Sequence, residues 1–257
     1  MSRLTFTGRE NRSPVWSRDR EHLVFLSRNP DGSPINWIRA DGSGETLVLL
    51  ESKNIIEPDS FAPDGGRLAY VEIKPDGDFD LWTLPLDTSD PEHPKPGKPV
   101  PFLQTPAIES WLVFSPDGRF VAYMSNESGR YEIYVRPAPG PDGKPAPGKW
   151  QVSTGGGVYA EWSPNGRELF YRGLDNRIMV ADYTATAGSF SSGKPRVWSD
   201  RQILEAGSFL NFALAPDGKC FAVFPMPEAT AEDKGPAHVT FLLNFFDELR
   251  RRVPVGR

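Results

Sequence analysis

Few residues in this 257-residue chain have types and spacings that could do chemistry. Three histidines, His22, His93 and His238, and one cysteine, Cys220, are its candidate soft ligands. None stands at metal-ligand spacing from another. His93 falls in a Pro-rich loop that keeps it in water, and Cys220, between Lys219 and Phe221, reads as a buried, inert thiol at the start of a strand. A single cysteine excludes an intrachain disulfide. The stretch Gly143-Lys144-Pro145-Ala146-Pro147-Gly148-Lys149 has phosphate-loop spacing. Trp150, however, stands where a magnesium-binding Ser or Thr belongs, two prolines remove backbone donors, and no helical pattern follows.

The acids give a similar answer. Asp76, Asp78 and Asp80 alternate like the opening of a calcium loop, but Leu81 replaces the required Gly and Asp87 replaces the closing Glu. A hairpin turn with solvated acids is the expected reading. The chain has no Gly-x-Ser-x-Gly elbow for an activated serine. Its 34 acidic residues still leave open a carboxylate pair of the kind that cleaves glycosides. The residues therefore assign no catalytic, cofactor-binding or metal-binding role, expect no cofactor, and do not specify a binding residue.

What must position these groups is a repeat. Five times an aromatic or apolar residue runs into a tight turn and a second apolar strand. The stretches are Trp16-Ser17-Arg18-Asp19, Phe61-Ala62-Pro63-Asp64-Gly65, Phe114-Ser115-Pro116-Asp117-Gly118, Trp162-Ser163-Pro164-Asn165-Gly166 and Leu214-Ala215-Pro216-Asp217-Gly218. Their anchors recur every 45 to 53 residues, the period of one four-stranded propeller blade. Pro presets φ for the turn, and Gly accepts the left-handed conformation that closes it. In the first repeat Arg18 and Arg20 replace Pro and Gly, so its turn is the least regular.

The first two strands of each unit are nearly continuously apolar, as strands covered on both faces must be. Third strands fall at Asn36–Ile38, Asp80–Trp82, Glu132–Tyr134, Arg177–Met179 and Val239–Phe241, and fourth strands at Thr46–Leu50, Val100–Leu103, Trp150–Ser153 and Arg196–Trp198. The expected fold is all-β: a propeller of four-stranded antiparallel blades in a single domain, residues 1–257. It has five full repeats and an orphan N-terminal strand at Leu4–Thr7, which makes it five-bladed, or six-bladed with one blade incomplete. The charge order of Asn244–Val253, acids early and Arg250-Arg251-Arg252 late, predicts a short helix near 244–253. The recurrent aromatics Trp16, Phe61, Phe114, Trp162, Trp37, Trp82 and Tyr134 read as core filler.

Composition narrows the partners. A formal net charge of -5 argues against nucleic acid, which needs a dominating basic surface. No run approaches the roughly 18 apolar residues of a membrane span, and no signal peptide is evident, so membrane insertion by this chain is not expected and its compartment is open.

The Ser/Ala-Pro-Asp-Gly turns, each followed by an apolar strand, resemble the TolB-type propeller repeat, a relative of WD-repeat propellers. More narrowly, Trp150–Gly157, Trp162–Tyr171, Leu214–Phe224 and His238–Pro254 resemble the C-terminal propeller of bacterial, especially acidobacterial, serine/threonine protein kinases. The Gly-rich loop, His-Arg-Asp and Asp-Phe-Gly motifs of the kinase domain are absent. The resemblance implies a non-catalytic interaction or sensing propeller that binds a protein, peptide or cell-envelope ligand on one face, with a kinase domain encoded upstream and an extracytoplasmic location. The alternative from another class is a glycosidase-like propeller hydrolase or the gating propeller of a serine peptidase.

Overall fold

Each Asp-Gly-type turn joins the first two strands of one antiparallel sheet in the computed structural model, which describes residues 4–5, 10–30, 32–140, 142–144, 146–186, 188–205 and 211–224. The described residues lie in one compact unit, residues 1–225, and include no helix. Blade one comprises β1 (Glu10–Trp16), β2 (His22–Arg28), β3 (Ile35–Arg39) and β4 (Leu47–Leu50). Blade two comprises β5 (Ile55–Phe61), β6 (Arg67–Ile73), β7 (Phe79–Asp87) and β9 (Val100–Leu103), and β8 (Lys95–Pro96) pairs with the far end of β7. Blade three is β10 (Glu109–Phe114), β11 (Phe120–Ser125), β12 (Glu132–Pro137) and β13 (Trp150–Gln151).

Blade four is β14 (Val158–Trp162), β15 (Glu168–Arg172), β16 (Arg177–Thr186) and β18 (Arg196–Gln202), and β17 (Ser189–Ser192) pairs antiparallel with the far end of β16. Of the fifth repeat, β19 (Phe212–Leu214) and β20 (Phe221–Val223) are described. The third strand expected at Val239–Phe241 and the helix expected near 244–253 lie outside the described residues, as do Phe6 and Thr7. Leu4 and Thr5 are not in a strand.

One device closes all five turns. Oδ1 of Asp19, Asp64, Asp117, Asn165 and Asp217 accepts the N–H two residues on, at 2.8, 2.9, 3.1, 2.8 and 3.0 Å. These side chains mimic a turn of backbone. Gly65, Gly118, Gly166 and Gly218 hold φ between +66° and +76°, and in the irregular first repeat Arg20 takes the same place at +61°. Its N–H still reaches the Ser17 carbonyl at 3.1 Å.

Continuous apolarity follows from packing on both faces. Leu68 and Tyr70 of β6 face the layer shared with blade one, while Ala69 and Val71 face the layer shared with blade three. In β11, Val121 and Tyr123 face blade two, and Phe120 and Ala122 face blade four. Full burial of a Val, Leu or Phe among them contributes about 1.5–3 kcal/mol.

The anchors obey a direction. Phe61 packs toward blade one, Phe114 toward blade two and Trp162 toward blade three. Trp16, expected in the core with them, is instead 56% exposed. It ends the first blade's inner strand, and no described blade precedes it. Cys220 also departs from expectation: it sits between the last turn and β20 and is exposed.

Candidate functional site

The inner strands carry a recurring irregularity. Ladder register shifts between Arg12 and Val15 in β1, Pro58 and Ser60 in β5, Ser110 and Val113 in β10, and Val158 and Glu161 in β14. Ser13, Trp111 and Tyr159 lie in these bulges with φ of +54°, +59° and +56°. A bulge frees backbone groups from the ladder, and a buried free group must find another partner. Here the partners come from the neighbouring blade.

Asp59, the bulge residue of β5, accepts the Leu112 N–H through Oδ2 at 3.1 Å, and Ser60 Oγ donates to the Leu112 carbonyl at 2.7 Å. Trp111 Nε1 donates to the Ala160 carbonyl at 3.2 Å. Glu161 Oε2 accepts the Leu214 N–H at 3.0 Å. Between blades one and two the link is ionic, from Arg12 Nη2 to Glu57 Oε1. The polar side chains of the inner strands thus stitch successive blades together.

Burial sets their charge. It pushes the Asp59 carboxyl well above its ordinary range, against the Leu112 N–H and with the help of the Glu57 charge. Burial likewise raises Glu161 to about 7, with the Leu214 N–H acting the other way. Glu57 is raised by burial too, with the Arg12 guanidinium opposing. Among the described residues, no three His, Cys, Asp or Glu side chains are grouped so as to hold a metal ion.

The motifs weighed in the sequence resolve into structure. The Asp76 segment is the expected hairpin turn, closed by the Gly77 N–H on the Lys74 carbonyl at 3.0 Å. Its acids are not all solvated, because Asp80 is buried against Lys74 Nζ at 2.7 Å and Gln104 Nε2 at 3.0 Å. The same Lys74 ammonium also pairs with Asp78 at 2.8 Å. Of the phosphate-loop-like segment, Lys149 pairs with Glu127 at 2.5 Å and lies 5.3 Å from the Tyr134 ring centre. His93 is exposed, as expected, and contacts Asp90 at 3.1 Å. His238 lies outside the described residues.

Two clefts lie beside the first blade, one of them reaching the end of inner strand β5 at Phe61. One, of about 330 Å³, is bounded by His22, Trp37, Arg39 and Glu92, and the other, of about 360 Å³, by Asp19, Trp37, Phe61 and Thr88. Trp37 is their common wall, fixed by its Nε1 donating to the Pro91 carbonyl at 3.0 Å. Sequence reading did not anticipate this place. The available signal was a histidine three residues after a turn aspartate.

No family model matches the sequence. Among solved structures, the chain is similar to TolB from Acinetobacter baumannii, with 16% identity over 82% of this chain and 48% of that one and a TM-score of 0.50. It is also similar to the periplasmic gluconolactonase of Pseudomonas aeruginosa, with 22% identity, 82% and 61% coverage and a TM-score of 0.54. A third is the Cps50 (Swd1) β-propeller domain of Myceliophteria thermophila, with 12% identity, 86% and 68% coverage and a TM-score of 0.54. The chain spans about half the length of that TolB and about three fifths of that gluconolactonase. Among the described residues, no helix is long and apolar enough to cross a membrane. At such identities a likeness carries architecture alone, and the architecture is that of a TolB-like β-propeller.

Proposed function

We propose that this chain is a non-catalytic binding propeller that holds a protein, peptide or cell-envelope ligand on the face where the Asp-Gly-type turns and the Trp37 clefts lie. One observation carries the reading: the inner-strand acids Asp59 and Glu161 are committed to backbone N–H groups of the next blade. Catalytic carboxylates would be expected to converge on open space instead. The resemblance to kinase-tail propellers supports a sensing role outside the cytoplasm, joined to a kinase domain upstream.

Selection of a phage-displayed peptide library against the protein tests this. The expected result is a set of peptides whose affinity falls at least tenfold in Thr88→Arg, which fills one cleft, and is unchanged in Glu161→Gln. The reading is overturned if no peptide is enriched, or if binders ignore Thr88→Arg.

A second reading, hydrolysis near the propeller axis, is favoured by the Glu161 carboxyl at about 7, a value suited to a general acid. The likeness to a gluconolactonase makes sugar lactones the first substrates to try, with aryl glycosides and peptides after them. Turnover that disappears in Glu161→Gln would replace the binding reading with this one.

A further inference from the structure

Along the cleft of about 330 Å³, a ring nitrogen of His22 and a carboxylate oxygen of Glu92 face each other. His22 is 1% exposed, and its ring stacks on Trp37 with centres 4.9 Å apart. Asp19 Oδ2 lies 2.8 Å from His22 Nδ1. Burial acts to raise the Asp19 carboxyl, but bonds from Ser17, the Glu21 and His22 N–H groups and the His22 ring outweigh it, leaving the value lowered to about 2. Asp19 is therefore an anion at neutral pH and only accepts. It holds a ring proton on Nδ1, so in the neutral ring the lone pair is on Nε2.

Nε2 is buried and, among the described residues, has no hydrogen-bond partner. The group facing it is Glu92 Oε1, at 3.7 Å. That oxygen already accepts from Arg39 Nη1 and has a further lone pair, and the Nε2 lone pair opposite it gains nothing until a donor enters. Ser17 is not that donor, because its hydroxyl is turned to Asp19 and the His22 carbonyl. This also separates the group from a catalytic triad, in which the hydroxyl would sit at Nε2.

We propose that this cleft receives a primary ammonium group, carried by a lysine side chain or a free N-terminus of a bound peptide, that donates to both His22 Nε2 and Glu92. The inference rests on the binding reading above and names the chemistry of its ligand. An ammonium offers three donors on one small nitrogen, so it can bridge two acceptors 3.7 Å apart at about 2.8 Å from each. Trp37 and Leu47 give an apolar wall for the attached methylenes, and Glu45 adds a second carboxylate to the lining. Arg39 does not oppose the cation alone, since Glu92, Glu21 and Asp41 surround its guanidinium.

The charged and titratable groups around the His22 ring are Asp19 on its own turn, Arg39 and Glu45 from blade one, and Glu92 and His93 from the blade-two loop.

The test is titration followed by Trp fluorescence and by ¹H–¹⁵N spectra of the imidazoles. Probes are Nα-acetyl-lysine methylamide, alanyl-alanine amide with a free amine, and the fully acetylated form of each. Saturable binding of at least one amine probe is expected, none for its acetylated partner, and at least a tenfold loss in Glu92→Gln, a half-exposed position whose change leaves the fold intact. His22→Gln, with its fold checked by circular dichroism, should lose binding similarly. Which probe binds identifies the source as side chain or terminus. Equal binding of acetylated probes, no effect of Glu92→Gln, or an imidazolium spectrum for His22 at pH 7.5 would each overturn the inference. Peptides that need the Thr88 cleft but tolerate acetylation would sink it and leave the binding reading standing.

Discussion

The carboxylate of Asp59 in blade two accepts the backbone N–H of Leu112 in blade three at 3.1 Å, meeting a donor that the bulge in β10 has released from its own ladder. Asp59→Ala leaves that N–H without its acceptor and should cost about 1–3 kcal/mol. Asp59→Asn keeps an oxygen there and removes a carboxyl that burial disfavours in its charged form, so its stability should equal or exceed wild type at pH 8. Urea denaturation of both variants checks the pair. Equal losses would show that the hydrogen bond is not what matters.

Glu161 gives a pH dependence with a definite sign. Its ordinary value of 4.5 rises to about 7 in the fold because of burial. Between those values the unfolded chain has released a proton that the folded chain keeps, so stability falls as pH rises through the window and levels off above it. Glu161→Gln retains an oxygen for Leu214 and should match wild type near pH 4. At pH 8 it should be more stable by about 1–2 kcal/mol, allowing for the solvent that reaches this half-buried group. A gap of the same size at both pH values would contradict the assignment.

The two anchor tryptophans should behave oppositely. Trp162 is buried, donates to the Val113 carbonyl at 3.1 Å and meets Tyr183 edge-on at 5.0 Å. Trp162→Ala should therefore cost about 3–5 kcal/mol. Trp16→Ala, at an exposed strand end, should change stability by less than about 0.5 kcal/mol. Thermal melts of the two variants suffice, and similar shifts would refute the packing direction described for the anchors.

Arg20 holds a left-handed φ of +61° where four other repeats use glycine. Arg20→Gly should stabilise the protein by about 0.5–1 kcal/mol, because the strain removed exceeds the added freedom of the unfolded chain. The reverse change at an equivalent turn, Gly118→Ala, should destabilise by at least as much. Chemical denaturation reads both, and a destabilised Arg20→Gly would mean that the arginine side chain contributes more than its backbone conformation loses.

Much of the fold was legible. Asp117 and Gly118 mark a turn by their own chemistry, and Phe120 to Met124 reads as a doubly covered strand whose alternate residues do face two layers. The candidate sites were legible only in pieces. His22 is visible as a histidine after Asp19, but its stacking on Trp37 depends on β2 pairing with β3, and its neighbour Glu92 comes from another blade. Asp80 read as a solvated turn acid until Gln104 and Lys74 closed over it.

By itself the sequence determined the repeat, its hairpins and the turn type, because each depends on interactions spanning a few residues: an Asx side chain two positions from its N–H, a glycine free to take positive φ, an apolar run between turns. Tertiary structure alone decided that Trp16 is exposed while Trp162 is buried, that bulges bring Asp59 to Leu112 and Glu161 to Leu214, and that two acceptors face each other in the Trp37 cleft. Those outcomes turn on which blade lies alongside, and burial by a neighbour is not written in the residues it covers.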